Sequence, residues 1–80
     1  MSGKVAVIGG GSWGTALAHV LYNNNYQVQI YDLSPEKVKE INEEHINSYL
    51  PNVKLPVDLT ATTDLEEAVR GAEAVVVVVP

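Results

Sequence analysis

Residues 4–32 read KVAVIGGGSWGTALAHVLYNNNYQVQIYD. The stretch opens with a short β-branched apolar run at 4–8 and passes through a glycine-rich turn. It becomes helical from Ser12 to about Asn24. It then enters a second apolar run at 27–31 and closes on Asp32. Gly9, Gly11 and Gly14 fit G-x-G-x-x-G, and Asp32 follows the turn by roughly 20 positions, in the order strand, turn, helix, strand, acid. That order predicts a βαβ unit whose turn receives a dinucleotide.

Each residue type in the pattern has its own physical task. Gly9 permits the tight turn out of the first strand. Gly11 lets the backbone approach a pyrophosphate, and Gly14 lets the helix pack closely on the sheet. The helix beginning near Ser12 offers free N–H groups and the positive end of its dipole to the phosphates. No lysine or arginine stands in the turn, and G-x-x-x-x-G-K-[ST] is absent, so the phosphate loop of a nucleoside triphosphatase is excluded. Asp32, at the end of the second strand, is placed to accept hydrogen bonds from the adenosine ribose. Its charge would repel a 2′-phosphate, which favours NAD over NADP. Trp13 either lines the pyrophosphate turn or packs on neighbouring loops.

Beyond Asp32 the pattern continues as helix and strand in alternation. Ser34-Pro35-Glu36 is a helix start, with an N-cap hydroxyl, proline at the first position and an acid in the first turn, and this helix is expected to run to about His45. Residues 46–57 carry Pro51 and Pro56 and predict an irregular loop. Residues 59–62 predict a short third strand. Thr63 is read as the start of another helix, with Glu66 placed for a capping box, and Gly71 as its end. Residues 73–79 predict a fourth strand, whose valines suit burial on both faces. On the first helix, Ala16, Leu17, Val20 and Leu21 are read as the inward face, with Asn23-Asn24-Asn25 as the stop. The fold class is therefore α/β: a three-layer parallel sheet of the Rossmann type, β-α-β-α-β-α-β, in strand order 3-2-1-4.

Composition agrees with a small globular domain. The chain has 80 residues, 46% of them hydrophobic, and a net charge of −5, which speaks against nucleic-acid and membrane-surface binding. There are no cysteines, so disulfides, thiolate metal sites and thiol catalysis are out. A cytoplasmic location fits, no signal peptide is read at the N-terminus, and the apolar run at 74–80 is too short to span a bilayer. His19 is read as a solvated histidine and His45 as a cation at a helix C-terminus. Glu43-Glu44 and Glu66-Glu67 are read as solvated faces. No metal-ligand spacing, nucleophile–base pair or acid–base dyad is found, so no catalytic residue is assigned. The fourth strand is expected to leave an apolar edge, Val75 through Val79, open to pairing with a second copy of the chain.

The stretch VIGGGSWGTALAHVL resembles the opening of the NAD(P)-dependent glycerol-3-phosphate dehydrogenases, whose turn typically reads G-x-G-S-W-G-T-A-L-A. INEEHIN, YLPNVKLP and ATTDLEEAVRGAEAVVVVVP extend the likeness over the chain. The resemblance implies a cofactor site for oxidoreduction between glycerol 3-phosphate and dihydroxyacetone phosphate. It implies that Ser12, Trp13 and Tyr49 contact the cofactor beside Gly9, Gly11 and Gly14. Two residues depart from the family pattern: Gly10 replaces the commoner alanine, and Asp32 stands where many bacterial members carry basic or neutral residues. The family's catalytic lysines and helical substrate domain have no counterpart within residues 1–80. The expectation is thus a truncated dinucleotide-binding domain, an NAD(H)-binding module inactive by itself. The alternatives are a fragment active only with a complementing substrate domain, or a structural or engineered fragment with no ligand.

Overall fold

The computed structural model describes residues 3–9, 11–48 and 53–78. In chain order the elements are β1 (Lys4–Ile8), α1 (Ser12–Asn23), β2 (Gln27–Tyr31), α2 (Pro35–Lys39), a π-helical turn (Glu40–Glu44), β3 (Thr60–Thr62), α3 (Leu65–Val69) and β4 (Ala74–Val77). The four strands form one sheet in the order β3-β2-β1-β4. Every pairing is parallel: Val7 lies between Ile30 and Val76, and Ile30 between Val7 and Ala61. The predicted strand order and alternation of elements are those observed.

Strand side chains alternate between faces, and the sheet uses both. Val7, Val28, Ile30 and Ala61 point to one side and pack with Ala18 of α1, Ile41 of the π turn, and Leu55 and Leu59 of the segment before β3. Full burial of each large aliphatic side chain here stabilises the fold by about 1.5–3 kcal/mol. On the other face, Gln29 Nε2 donates to Glu67 Oε2 at 3.1 Å and Thr62 Oγ1 to Glu67 Oε1 at 3.1 Å, so α3 forms the third layer. Ala68 of α3 is fully buried there.

Several local expectations are corrected. The inward residues of α1 are Gly14, Thr15 and Ala18, with Leu21 and Tyr22 packed on the core, while Val20 is exposed. The close approach of Gly14 to the turn sets that rotation. Asn25, at φ 71°, makes the left-handed exit expected of the asparagine run. α2 begins as predicted, with Ser34 Oγ accepting from Lys37 N at 3.3 Å, but the helix widens into the π turn before His45. Widening occurs where adjacent residues are both held by the rest of the fold: Ile41 in the core and Asn42 on β3. The Asn42 side chain donates to Ala61 O at 2.9 Å and accepts from Ala61 N at 2.8 Å, closing the outer edge of β3 as a strand would. His45, at φ 58°, ends that turn half-buried.

α3 is capped by Asp64 and not by Thr63. Asp64 Oδ1 accepts from Glu66 N at 3.0 Å and Glu67 N at 3.3 Å, because Thr62 Oγ1 already takes the Asp64 N–H at 3.0 Å and fixes the turn one residue later. Glu67 is consequently a tether between α3 and the sheet, although its residue is exposed overall. β4 departs most from expectation. Val75 and Val77 are exposed, because among the described residues α3 covers the β1–β3 side of their face, and Ala74 is exposed on the opposite face. The expectation for residue 79 lies outside the described residues.

Candidate functional site

The site is assembled at the carboxyl ends of β1, β2 and β4. The chain leaves β1 for α1 on one face of the sheet, while α3 brings it into β4 on the other. A crevice must therefore open where β1 separates the two directions. It is a groove of about 270 Å³ lined by Ile8, Gly9, Tyr31, Asp32, Leu33, Val77 and Val78. Among these, Leu33 and Val77 expose apolar surface to solvent.

The three fingerprint glycines differ in what requires them. Gly9 adopts φ +126°, and a Cβ there would lie 2.5 Å from the Val78 carbonyl oxygen. A Cβ on Gly14 would lie 1.8 Å from the Gly9 carbonyl oxygen. Both are demanded by the chain's own backbone. Gly11 is not: it takes an ordinary extended conformation at φ −72°, and a Cβ there would meet no atom of the described residues within 4 Å. The space in front of Gly11 is left open at the N-terminus of α1. Among the described residues no side chain caps that terminus, and no acid stands in its first turn. Its N–H groups and the positive end of its dipole face outward, an arrangement that suits an anion.

Ser12 and Trp13 follow on the exposed side of this turn, Trp13 at 80% exposure. Asp32 is carried to the same place by the sheet, since Gly9 N donates to Tyr31 O at 2.9 Å. Asp32 N is held by Thr62 O at 3.1 Å, and its Oδ1 accepts the Ser34 N–H at 2.8 Å. Among the described residues nothing donates to Oδ2 of Asp32, which lines the groove. The fold thus brings Gly9, Gly11, Ser12, Trp13, Gly14 and Asp32 together. Tyr49 lies outside the described residues. Leu33, Val77 and Val78 were not foreseen as groove walls, since they sit in no motif and only the sheet order makes them neighbours.

A second groove, at the opposite end of the sheet, is lined by Tyr22, Asn25, Tyr26, Gln27 and Asp58. Tyr22 Oη donates to Asp58 Oδ2 at 3.3 Å. The Tyr22 phenol is raised above its ordinary value, by desolvation first, then by the Asp58 charge and by the hydrogen bond to it. Among the described residues no three His, Cys, Asp or Glu side chains come together as metal ligands, and no helix is long and apolar enough to cross a membrane.

The chain is similar to known proteins in both sequence and fold. Residues 4–80 match the family described as NAD-dependent glycerol-3-phosphate dehydrogenase N-terminus. A glycerol-3-phosphate dehydrogenase (NAD(P)+) of Shouchella clausii is 51% identical over 78 residues, covering 96% of this chain and 23% of that protein. One from Enterococcus faecalis is 52% identical over 81 residues, covering 100% of this chain and 24% of that protein. The crystal structure of a glycerol-3-phosphate dehydrogenase from Coxiella burnetii superposes with a TM-score of 0.89 at 38% identity, covering 99% of this chain and 25% of that one. The chain spans about a quarter of the length of the relatives it matches. With the parallel sheet, the glycine turn and sequence identity over nearly all its residues, this chain belongs to the N-terminal family of the NAD-dependent glycerol-3-phosphate dehydrogenases.

Proposed function

We propose that this chain binds NAD(H) as the cofactor-holding portion of a glycerol-3-phosphate dehydrogenase. The observation that carries this reading is Gly11, a glycine that neither the backbone conformation nor any atom of the described residues requires, placed before a helix N-terminus that no described side chain caps. The pyrophosphate takes that space and accepts from the N–H groups of the first turn of α1. The adenosine ribose lies over the ends of β1 and β2, with its hydroxyls donating to Asp32. Leu33, Val77 and Val78 exclude water along the groove. Ser12, Trp13 and, through the family resemblance, Tyr49 complete the contacts.

The finer assignment is NAD over NADP. A 2′-phosphate would sit against the Asp32 carboxylate, and no arginine stands beside it in sequence. When bound, the nicotinamide supplies the hydride chemistry of glycerol 3-phosphate and dihydroxyacetone phosphate interconversion. Residues of this chain bind and orient it, and among the described residues none forms an acid–base pair beside the groove. Turnover by this chain alone is therefore not expected.

The test is a titration with NADH and NADPH followed by the fluorescence of Trp13, the single tryptophan. Saturable quenching by NADH, with NADPH weaker, supports both statements. Equal affinities remove the role given to Asp32, and no binding of either removes the function. An assay of NADH oxidation with dihydroxyacetone phosphate checks the absence of turnover.

A further inference from the structure

The loop that follows the π turn reaches back to the first helix. Asn47 Nδ2 donates to Thr15 Oγ1 at 2.7 Å, with Asn47 1% and Thr15 0% exposed. Thr15 follows Gly14 directly, and its backbone N–H donates to Gly11 O at 2.9 Å. The residue held by Asn47 is therefore the one that closes the first hydrogen-bonded ring of α1, directly behind the open space at Gly11. The loop is itself anchored on both sides. Ser48 N donates to Glu40 Oε1 at 2.8 Å, and Leu55 N donates to His45 O at 2.6 Å.

A threonine hydroxyl within a helix has two accessible rotamers and can donate back to the carbonyl four residues earlier, here Gly11, which bends the helix. An N–H donor fixed on the far side of that hydroxyl selects its rotamer. The direction of the first turn's N–H groups then depends on a side chain more than thirty residues away in sequence. Burial makes the dependence steep, because a buried partner left unsatisfied costs more than an exposed one.

We propose that Asn47 is a positioning residue for the diphosphate: acting through Thr15, its amide orients the first turn of α1 and sets how tightly that turn holds a pyrophosphate. The proposal rests on the dinucleotide reading above and adds a residue that touches no part of the ligand. It also makes the segment 45–48 a determinant of phosphate affinity rather than a mere connection between α2 and β3.

The experiment compares two probes, ADP-ribose and adenosine, which share base and ribose and differ in the pyrophosphate. Asn47→Ala and Thr15→Val are expected to weaken ADP-ribose about tenfold while leaving adenosine within about twofold, and Thr15→Ser, which keeps the hydroxyl, is expected to restore wild-type affinity. Equal losses for both probes, or no loss for ADP-ribose, overturn the proposal, because a merely structural role would not discriminate between them. A second measurement needs no variant. In the ¹⁵N-labelled wild type the Asn47 side-chain amide signals shift with saturating ADP-ribose and stay in place with adenosine, and signals unmoved by ADP-ribose overturn the proposal even where the variants fail to fold. A wild-type chain that ignores ADP-ribose altogether overturns the dinucleotide reading itself. One that binds it while the variants bind equally well overturns only the role of Asn47.

Discussion

A Cβ on Gly14 would stand 1.8 Å from the carbonyl oxygen of Gly9 and 2.9 Å from its carbon. The helix of the nucleotide turn is thus seated directly on the backbone it has just left. Backbone cannot move aside as a long side chain would. Gly14→Ala is therefore expected to cost about 3 kcal/mol or more, a large share of the stability of an 80-residue domain. Gly11→Ala meets no atom of the described residues within 4 Å and keeps an allowed conformation, so its stability is expected to stay within about 1 kcal/mol of wild type. Dinucleotide affinity is expected to respond in the other sense, falling at least about tenfold in Gly11→Ala as the methyl group enters the phosphate space. Urea unfolding beside NADH titration separates the two: a Gly11→Ala chain that binds as well as wild type would remove the phosphate from this turn.

The Asp32 carboxylate is half engaged by the fold, through Oδ1 and the Ser34 N–H at 2.8 Å. Asp32→Asn keeps an oxygen acceptor for that N–H and removes the charge. The ratio of NADPH to NADH dissociation constants is expected to fall by about tenfold in the variant, with folding stability little changed. Raising the salt concentration screens the repulsion and is expected to narrow the wild-type ratio in the same direction. An unchanged ratio in Asp32→Asn would show that another group discriminates between the two cofactors.

The parts of the fold that could be read from sequence are those whose cause is local. Gly9, Gly11 and Gly14 announce a turn by their spacing, glycine alone meeting the demands at Gly9 and Gly14, and Ser34-Pro35-Glu36 announces a helix start by its own side chains. The parts that could not be read are set by partners distant in sequence. Whether Val20 or Ala18 faces inward depends on the seat of Gly14, not on the hydropathy of α1. The choice of Asp64 over Thr63 as the cap of α3 depends on the Thr62 hydroxyl. Asn42 gives no sequence signal that it will pair with Ala61. Leu55 and Leu59, in a segment broken by prolines, enter the core only because the sheet leaves room there. At the site, the same division separates the legible glycines and Asp32 from the groove walls Leu33, Val77 and Val78.

Lys4 joins the start of β1 to the end of α3. Its Nζ donates to Glu67 O at 3.0 Å and Arg70 O at 2.9 Å, satisfying carbonyls that the helix cannot satisfy and placing a cation at the negative end of its dipole. Lys4→Met preserves most of the aliphatic stem and removes the donors. The expected loss is about 1 kcal/mol, or a melting temperature lower by about 4–8 °C. Amide exchange in 66–70 is expected to quicken more than in α1, and uniform quickening would mean that Lys4 contributes only to global stability.

The raised Tyr22 phenol gives the chain an alkaline signature at the end of the sheet remote from the groove at Gly9 and Asp32. The folded state holds this proton more tightly than the unfolded state, where tyrosine ionises near its ordinary value of 10.0. The contribution is fully present below pH 10 and is lost as the pH rises through the higher folded value. Denaturant midpoints measured at pH 9 and pH 11 are expected to fall further in wild type than in Tyr22→Phe. Parallel declines in the two proteins would assign the alkaline loss to other groups.

The two edges of the sheet are treated differently, and the difference bears on association. The outer edge of β3 is closed by the paired contacts of Asn42 with Ala61, whereas β4 has no strand or side-chain amide on its outer side among the described residues. β4 is also apolar and exposed, with Val75 at 49% and Val77 at 64%, and carries no charge to discourage a second strand. Unpaired backbone groups beside valines form a template for strand addition. Pairing of two copies through β4 is the expected result, opposed by the net charge of −5 on each copy and so favoured by added salt. Sedimentation equilibrium is expected to give a weight-average mass that rises with concentration. Val75→Lys, which places a charge on the exposed face of β4 away from the nucleotide groove, is expected to hold the chain as a monomer over the same range. A wild-type mass independent of concentration at both low and high salt would remove this edge as an interface.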